Sequence, residues 1–368
     1  MRFVYNSFEG RFSDSPRVLH AALLERFPAA SHVWLADPVH AATFPPDVDT
    51  VVYRSPECAA ALEAADAVIA NTHTDVDWDK PGRTVYLQTW HGTPLKRIHW
   101  DVLWAPEGRL DRLQRDVDRW DALIAPNRFS VGPLRQAFRF ERDVLETGYP
   151  RNDVLLAQDR DARRAQMRRE LGIAEGVTAV LYAPTWRDDV VFAGGDGAVE
   201  LQLDAEAVAD ALGADHCLLL RLHYMLTGRL RAMDHPAVRD VSLHPDISDL
   251  YLAADVLVTD YSSAMFDFAV TGRPLLFFTY DLAEYRDSLR GFYFDFAPEA
   301  PGPLLETTAE VIGALGDLDG VRAAYAERYV RFRERYCHLE DGHATERVID
   351  WLLARLAPIA EGRHEGAA

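Results

Sequence analysis

Two adjacent serines, Ser262 and Ser263, lie where a buried strand is predicted to end and a helix to begin. The run Asp255–Asp260 is apolar enough for a buried strand, and Ala264–Ala269 follows with apolar residues at helical spacing. A serine at a helix start can accept a hydrogen bond from a helical amide, and helix N-termini favour phosphate groups. The junction, including Asp260, therefore predicts a site for a phosphate-bearing ligand. A plain capped helix in an α/β domain is the alternative.

A histidine in the first half offers acid–base chemistry. His91 follows the predicted strand Val85–Leu87 directly and belongs to the string WHGTPLK, which ends at Lys96. An imidazole titrates near neutrality and can accept a hydroxyl proton as a general base. Gly92 allows the backbone to approach a ligand closely, and Lys96 could meet negative charge. The alternative is a structural histidine whose hydrogen bonds only stabilise its own loop.

Two more predicted strand ends carry cations. Arg221 and His223 are two residues apart at the end of the strand Leu218–Leu222. Side chains at this spacing lie on the same side of a strand, so that both should reach the same rim of the sheet. Thr185 and Arg187 end another strand in the string APTWR, where a hydroxyl and a guanidinium could hold a phosphate oxygen. A surface arginine paired with a neighbouring aspartate is the alternative for Arg187.

These candidates are positioned by short apolar runs that alternate with longer amphipathic ones. This alternation is typical of βα units and a parallel sheet. A helix is predicted over Pro16–Arg26, where Ser13 and Asp14 offer caps. Strands are predicted near Phe3–Tyr5, Val33–Leu35, Val51–Tyr53, Ala67–Ala70, Val85–Leu87, Ala122–Ala125, Val144–Glu146, Thr178–Tyr182, Leu218–Leu222, Val238–Leu243, Val256–Thr259 and Leu275–Thr279.

A break in the apolar pattern divides the chain. Gly, Pro and Asx-type residues interrupt it at Thr147–Asp153, which we interpret as the hinge side of a domain boundary. We predict Rossmann-like domains over residues 1–150 and 151–345 that face each other across a cleft, and a C-terminal helix and tail over 346–368. The last helix is expected to pack back on the first domain, with the carboxylates of Glu340–His343 serving most simply as its cap.

Composition narrows the classes of function. At 368 residues the chain exceeds the size that one hydrophobic core usually supports. A formal net charge of -19 argues against non-specific nucleic-acid binding, which needs a basic surface. Cys58, Cys217 and Cys337 suit neither a disulfide framework nor a zinc site. No apolar stretch is long enough to span a bilayer. We expect the protein to reside in a reducing cytosol.

Several strings of this chain resemble the CDP-glycerol:poly(glycerophosphate) glycerophosphotransferase family, the teichoic acid primases and polymerases. They span most of the chain from residue 85 onward, and the run from Thr259 to Phe296 is the specific part. The segment Tyr5–Pro16 also looks like the start of the family's catalytic region. The strings are WHGTPLK at Trp90–Lys96, APTWR at Ala183–Arg187, TDYSSAMFDFA at Thr259–Ala269, RPLLFFTYDLAEYRDSLRGFYFDF at Arg273–Phe296 and EDGHATERVID at Glu340–Asp350.

The resemblance implies a GT-B-like α/β fold and the transfer of glycerol phosphate from CDP-glycerol to a lipid-linked acceptor, with release of CMP. It implies that His91 is the general base and that His223 lies near the pyrophosphate, and we count both as catalytic. The donor or phosphate contacts are then Arg187, Thr185, Arg221, Ser262, Ser263 and Asp260, and the acceptor-side residues are Gly92, Lys96, Ser13 and Asp14.

The resemblance also implies partners. The acceptor is expected to be a polyprenyl-linked glycolipid, which places the enzyme in the cytoplasm and peripherally on the inner face of the membrane. Candidate docking surfaces are Lys96–Trp100 and Arg109–Trp120, although the latter also suits a solvated helix face. No cofactor is expected, with CDP-glycerol as the donor substrate. Because no acidic cluster has clear metal-ligand spacing, transfer without a metal is preferred, and the sequence leaves the metal requirement open.

Other functions stay open from the sequence. A ribitol-phosphate or other polyol- or sugar-phosphate transferase of cell-wall or capsule synthesis would share the fold and the site. A UDP-sugar 2-epimerase of GT-B-like architecture would also need a helix-terminal phosphate site, and it would release no CMP. A non-catalytic nucleotide-binding protein would not require a proton acceptor at position 91. The sequence does not separate a priming enzyme from a polymerase.

Overall fold

The computed structural model describes residues 1–185, 201–222 and 235–365. The chain forms two compact units. The first comprises Met1–Thr93, Ile98–Val154 and the chain from Leu339, and the second comprises Pro94–Arg97 and Leu155–His338. The boundaries expected at residues 150 and 345 stay a prediction about independently folding domains.

The first unit is built on a parallel sheet of seven strands, all within the described residues 1–185. Their order is β3-β2-β1-β4-β5-β6-β7. The central strands β4, β5 and β6 are short, fully buried runs, as a sheet covered on both faces requires, whereas the edge strands β3 and β7 are more exposed. The strands are β1 (Arg2–Asn6), β2 (Ser31–Ala36), β3 (Asp49–Val52), β4 (Ala67–Ala70), β5 (Val85–Gln88), β6 (Ala122–Ala125) and β7 (Asp143–Glu146).

Helices cover both faces of this sheet. On one face, the core includes Leu62, Leu134 and Phe138. On the other face, Leu19 and Leu23 pack with Leu352 of the last helix. The helices of the first unit are α1 (Asp14–Arg26), α2 (Pro56–Glu63), α3 (Arg109–Val117), α4 (Arg128–Phe138) and, at the C-terminal end, Ala344–Glu365.

The second unit repeats the plan. Its described strands form a parallel sheet in the order β10-β9-β8-β11-β12-β13. The strands are β8 (Thr178–Tyr182), β9 (His216–Leu220), β10 (Val238–Asp240), β11 (Val256–Thr259), β12 (Leu275–Phe278) and β13 (Leu304–Leu305). The longer helices are α5 (Arg160–Glu170), α6 (Ala205–Leu212), α7 (Ile247–Ala253), α8 (Ala264–Ala269), α9 (Thr308–Gly316) and α10 (Leu318–Tyr336), so that the C-terminal helix Ala344–Glu365 is α11.

The strand orders confirm the predicted pair of doubly wound Rossmann-type sheets. Each sheet reverses its strand order once, between β1 and β4 in the first unit and between β8 and β11 in the second. Ligands of open parallel sheets bind outside the carboxyl ends of the strands at this point. The predicted packing of the last helix on the first domain is confirmed, because Val348, Ile349 and Leu352 of α11 are buried in the core that contains α1.

The start of α11 differs from the prediction. The carboxylates that bind the first amides of α11 do not come from Glu340 or Asp341. Asp153 accepts hydrogen bonds from the backbone N–H groups of Ala344 and Thr345, at 3.0 and 2.8 Å. The sequence analysis also missed β13, whose two residues are too few to show a pattern. Among the described helices, none is both long enough and apolar enough to cross a membrane.

Candidate active site

His91 follows β5, the neighbour of β4, close to the strand-order reversal of the first sheet. Its Nδ1 lies 2.5 Å from the carbonyl oxygen of Asn71, the first residue after β4. A carbonyl oxygen can only accept a hydrogen bond, so Nδ1 must carry the proton. In the neutral ring, Nε2 then holds the lone pair, which is the form that a general base needs.

The backbone around His91 is unusual. Trp90 has a φ of 53°, in the left-handed region that residues with a side chain rarely adopt. Its ring centroid lies 4.1 Å from that of His91, and the ring of Phe8, another residue with positive φ, lies 5.3 Å from His91. Such backbone conformations concentrate at functional sites, where the surrounding structure holds them in place.

Asn71 connects His91 to the loop that follows β1. Its side-chain oxygen accepts the backbone N–H of Phe8 at 2.9 Å, and its amide nitrogen donates to the Ser7 hydroxyl at 3.1 Å. The Ser7 hydroxyl in turn lies 3.1 Å from that of Ser13. The structure therefore brings His91 and Ser13 into one hydrogen-bonded network. Sequence reasoning missed Asn71, although a polar residue directly after a buried strand was a usable signal.

The other acceptor-side residues of the first unit have structural partners. Asp14 has a φ of 63° and pairs with Arg151 at 2.8 Å, with both side chains buried. Its second carboxylate oxygen accepts the N–H of Ser15 at 2.7 Å. The N–H of Gly92 donates to the hydroxyl of Tyr149 at 3.0 Å. Asp14 therefore fixes the start of α1, and Tyr149 fixes the turn after His91.

In the second unit, the structure brings Thr185 and Asp260 together. The N–H of Thr185 donates to the Asp260 carboxylate at 2.8 Å, which ties the residues after β8 to those after β11. This contact lies at the strand-order reversal of the second sheet. The Ser262 hydroxyl accepts the N–H of Ala264 at 3.3 Å, whereas Ser263 makes no side-chain cap bond. The predicted strand-to-helix junction is confirmed, but the serine that receives a helical amide is Ser262.

The remaining candidates are held by other contacts or lie outside the described residues. Nη1 of Arg221 donates to the carbonyl oxygens of Val241, Ser242 and His244, at 3.0, 2.7 and 2.6 Å. Nη1 therefore stabilises the loop of residues 241–244. Lys96 pairs with Phe292 in an antiparallel bridge and so belongs to the second unit, whereas Gly92 belongs to the first. Arg187 and His223 lie outside the described residues.

In the part of the chain that the structure describes, no group of three or more His, Cys, Asp or Glu side chains is arranged to hold a metal ion. The aromatic segment that begins at Gly291 is used for packing. Phe292 and Phe296 lie against the ring of Tyr261, which also stacks on Tyr285 at 4.5 Å between centroids. These rings pack around the residue that directly precedes Ser262.

The chain is similar to known proteins over nearly its whole length. The family model of CDP-glycerol:poly(glycerophosphate) glycerophosphotransferase matches residues 1–354. The teichoic acid glycerol-phosphate transferase of Staphylococcus aureus is 40% identical over 355 residues, which cover 94% of this chain and 90% of that protein. The teichoic acid poly(glycerol phosphate) polymerase of Bacillus spizizenii is 36% identical over 361 residues, with coverage of 95% and 91%.

A solved structure gives the same result. The wall teichoic acid polymerase TagF matches with a TM-score of 0.89 at 34% identity, covering 97% of this chain and 89% of that one. This match confirms the predicted GT-B-like fold class. The sequence resemblance is confirmed as well, because the family model spans nearly the whole chain. The chain therefore belongs to the CDP-glycerol:poly(glycerophosphate) glycerophosphotransferase family.

Proposed function

We propose that this protein transfers glycerol phosphate from CDP-glycerol to a hydroxyl group of a teichoic-acid-type acceptor and releases CMP. The observation that carries the proposal is the fixed orientation of the His91 ring, with Nδ1–H on the Asn71 carbonyl and the lone pair on Nε2. Family membership and the relatives named for glycerol-phosphate transfer support it.

The reaction needs one proton acceptor and several groups that stabilise phosphate charge. The acceptor oxygen attacks the β-phosphorus, forms a new P–O bond and loses its proton to Nε2 of His91. The bond from the β-phosphorus to the bridging oxygen breaks, and that oxygen leaves with CMP. Preorganised donors stabilise the charge that develops on the leaving phosphate.

We assign those donors to the second unit. Ser262, Ser263 and Thr185 supply hydroxyl groups near the ends of β8 and β11, and Asp260 positions the backbone of Thr185. Arg187 and His223, which lie outside the described residues, are proposed to supply the cationic contacts, and Arg221 supports the adjoining loop through Nη1. Because hydroxyl and cationic side chains fill this role, we infer that transfer needs no metal ion. Activity that persists in excess EDTA is the expected result.

A donor assay separates this function from its alternatives. The protein is incubated with a lipid-linked acceptor analogue and with CDP-glycerol, CDP-ribitol or UDP-N-acetylglucosamine, and released CMP and UDP are quantified. We expect CMP release from CDP-glycerol that depends on the acceptor. Faster release from CDP-ribitol would instead identify a ribitol-phosphate transferase. Epimerisation of the UDP-sugar without CMP release would identify a 2-epimerase.

His91 is tested by substitution. We expect His91→Ala to lower turnover by about two orders of magnitude or more, the usual size of a general-base contribution, with donor binding nearly unchanged. Turnover with CDP-glycerol and donor affinity by calorimetry are measured. His338→Ala, which changes an exposed histidine of the second unit, is the matched control and should keep normal turnover. Normal turnover in His91→Ala would remove His91 from the mechanism.

We also propose that the protein works at a membrane surface, because a polyprenyl-linked acceptor is anchored there. Leu103 and Trp104, between the two basic stretches singled out in the sequence, are 50% and 71% exposed. Tryptophan favours the membrane interface. We expect the double variant Leu103→Ser, Trp104→Ser to reduce co-sedimentation with anionic vesicles. Val330→Ser, at an exposed position of α10, should leave it unchanged. Equal sedimentation of all three proteins would exclude this surface.

A further inference from the structure

A buried polar cluster lies in the first unit around Asp116, near the C-terminal end of α3. Asp116 is 2% exposed. One carboxylate oxygen accepts the backbone N–H of Thr74 at 3.0 Å and the indole N–H of Trp120 at 3.0 Å. The hydroxyl of Tyr86 lies 3.2 Å from the same oxygen and 2.9 Å from the Thr74 hydroxyl. None of these side chains has a role in the reaction described above.

Thr74 ends the short loop that begins with Asn71, whose carbonyl oxygen accepts the ring N–H of His91. The loop is held at both ends. At its start, the side chain of Asn71 bonds to the β1 loop, and at its end the N–H of Thr74 bonds to Asp116. A three-residue separation leaves the Asn71 carbonyl little freedom once both ends are fixed. The Asp116 contact therefore reaches His91 through the backbone of one loop.

A second connection joins the same loop to the turn that carries His91. The amide nitrogen of Gln88 donates to the carbonyl of Thr72 at 2.9 Å, and its amide oxygen accepts the N–H of Trp90 at 2.9 Å. Gln88 thus couples the two turns directly. Movement of the Asn71–Thr74 loop would disturb both the backbone before His91 and the carbonyl that fixes its ring.

We propose that Asp116 is a positioning residue for His91: by accepting the N–H of Thr74, its carboxylate holds the Asn71 carbonyl where it keeps the proton of His91 on Nδ1. The inference rests on the proposed function of His91 as general base. A small misplacement of a catalytic group lowers turnover without a matching loss of substrate binding, because binding contacts lie elsewhere.

The burial of Asp116 fits a specific task. Burial raises the pKa of Asp116 to about 7, although bonds from Thr74, Trp120 and Tyr86 and the charge of Arg119 oppose this rise. Arg119 lies 4.0 Å away, and the buried His73 ring nitrogen lies 3.8 Å away. A buried carboxylate costs free energy that an apolar side chain of similar size would not, so this packing position alone does not call for an aspartate.

Substitutions at Asp116 test the proposal. Asp116→Ala removes the acceptor for Thr74. Asp116→Asn retains it, because the amide oxygen can receive both Thr74 and Trp120 while the NH₂ group faces the Tyr86 hydroxyl, which can accept. Asp77→Asn is the matched control, since it neutralises an exposed carboxylate three residues after Thr74. Turnover, donor KM and the ¹⁵N ring shifts of His91 are measured for each protein.

We expect Asp116→Ala to lower kcat about tenfold to a hundredfold with donor KM within twofold, and to mix the two tautomers of His91. Asp116→Asn and Asp77→Asn should keep the Nδ1–H tautomer and at least half of the turnover. A single Nδ1–H tautomer in Asp116→Ala, or a tenfold loss of kcat in Asp116→Asn, would overturn the proposal. The second criterion decides the matter if Asp116→Ala does not fold.

The tautomer measurement needs no enzymatic turnover. If the unmodified protein released no CMP from CDP-glycerol, the proposed function would fail. The ¹⁵N shifts of His91 would still show whether Asp116 controls the ring.

Discussion

At the scale of single residues, the first unit contains a histidine buried among aromatic rings. His20 lies on α1, 6% exposed, with the rings of Tyr5, His32 and Trp34 at centroid distances of 5.0, 5.5 and 5.7 Å. Burial, reinforced by the charge of His32 and opposed by Asp47, lowers the pKa of His20 to about 4. The ring is therefore neutral in the folded protein at neutral pH.

This histidine makes stability depend on pH. The unfolded chain binds a proton at His20 near its ordinary pKa of 6.5, whereas the folded chain binds it only near 4. Stability should therefore fall as the pH is lowered from about 6.5 to about 4. Between pH 7.5 and pH 5, we expect the melting temperature of His20→Phe to decrease less than that of the unmodified protein. His338→Ala serves as the control and should lose as much as the unmodified protein; equal losses in all three would contradict the assignment.

The candidate residues show how far residue patterns carry. His91, Thr185 and Ser262 could be found from the sequence, because each follows an apolar run that had to be a buried strand. Asn71 also follows such a run, but its contact with His91 and that of Tyr149 with Gly92 join residues 20 and 57 positions apart, and the sequence does not show which residues meet in the folded unit. Asp116 was still harder to identify, because it bonds to the backbone N–H of Thr74, a contact that no residue type in the sequence indicates.

At the scale of elements, α11 depends on a carboxylate from a distant segment. Asp153 accepts the N–H groups of Ala344 and Thr345 across 191 and 192 residues of sequence. Burial raises the pKa of Asp153, while these bonds, that of the Thr345 hydroxyl and the charge of Arg347 oppose the rise. An aspartate that satisfies two orphan amides at a helix start stabilises both the helix and its attachment.

We expect Asp153→Ala to destabilise the first unit by about 1–2 kcal/mol, the usual cost of losing such a cap. Hydrogen exchange at the amides of residues 344–356 should accelerate. Asp341→Ala, which changes one carboxylate of the segment that sequence analysis favoured as a cap, should have a smaller effect, because Asp341 is half exposed and accepts the N–H of His343, which precedes α11. The prediction is wrong if Asp341→Ala has the larger effect.

The positions of most strands could be predicted from the sequence, whereas the end of β10 could not. The strands Ala67–Ala70, Ala122–Ala125, Thr178–Tyr182 and Val256–Thr259 have the predicted bounds, because continuous apolar runs between polar breaks suit sheets covered on both faces. The strand at β10 is shorter than predicted and ends at Asp240. Apolar content alone did not mark that end, since Val241 lies beyond the strand and is nevertheless buried.

At the scale of the whole molecule, the first unit is assembled from separate parts of the chain. Residues 1–154 lack α11, and the core around Leu19 and Leu23 would lose Val348, Ile349, Leu352 and Leu356. Exposing a face of this kind removes hydrophobic stabilisation of about 1.5–3 kcal/mol for each large side chain. Single-unit fragments cut at the boundaries that the structure shows therefore test the organisation directly.

We expect residues 1–154 alone to be unfolded or aggregated. The same residues joined to 339–368 by a short Gly-Ser linker should fold, because Asp153 and Ala344 are already in hydrogen-bond contact. Circular dichroism and thermal melting distinguish the two fragments. Replacement of Val348, Ile349, Leu352 and Leu356 by serine in the joined fragment is the control, and it should behave like residues 1–154. Cooperative melting of residues 1–154 alone would contradict this expectation.

The discontinuity of the first unit also sets the order in which the protein can mature on the ribosome. The second unit has all of its segments once His338 has emerged from the exit tunnel, whereas the first unit must wait for α11. The part of the gene translated first is thus completed last, and the nascent chain carries an open sheet face through the synthesis of roughly two hundred residues. During translation, chaperones should consequently bind mainly to the amino-terminal half.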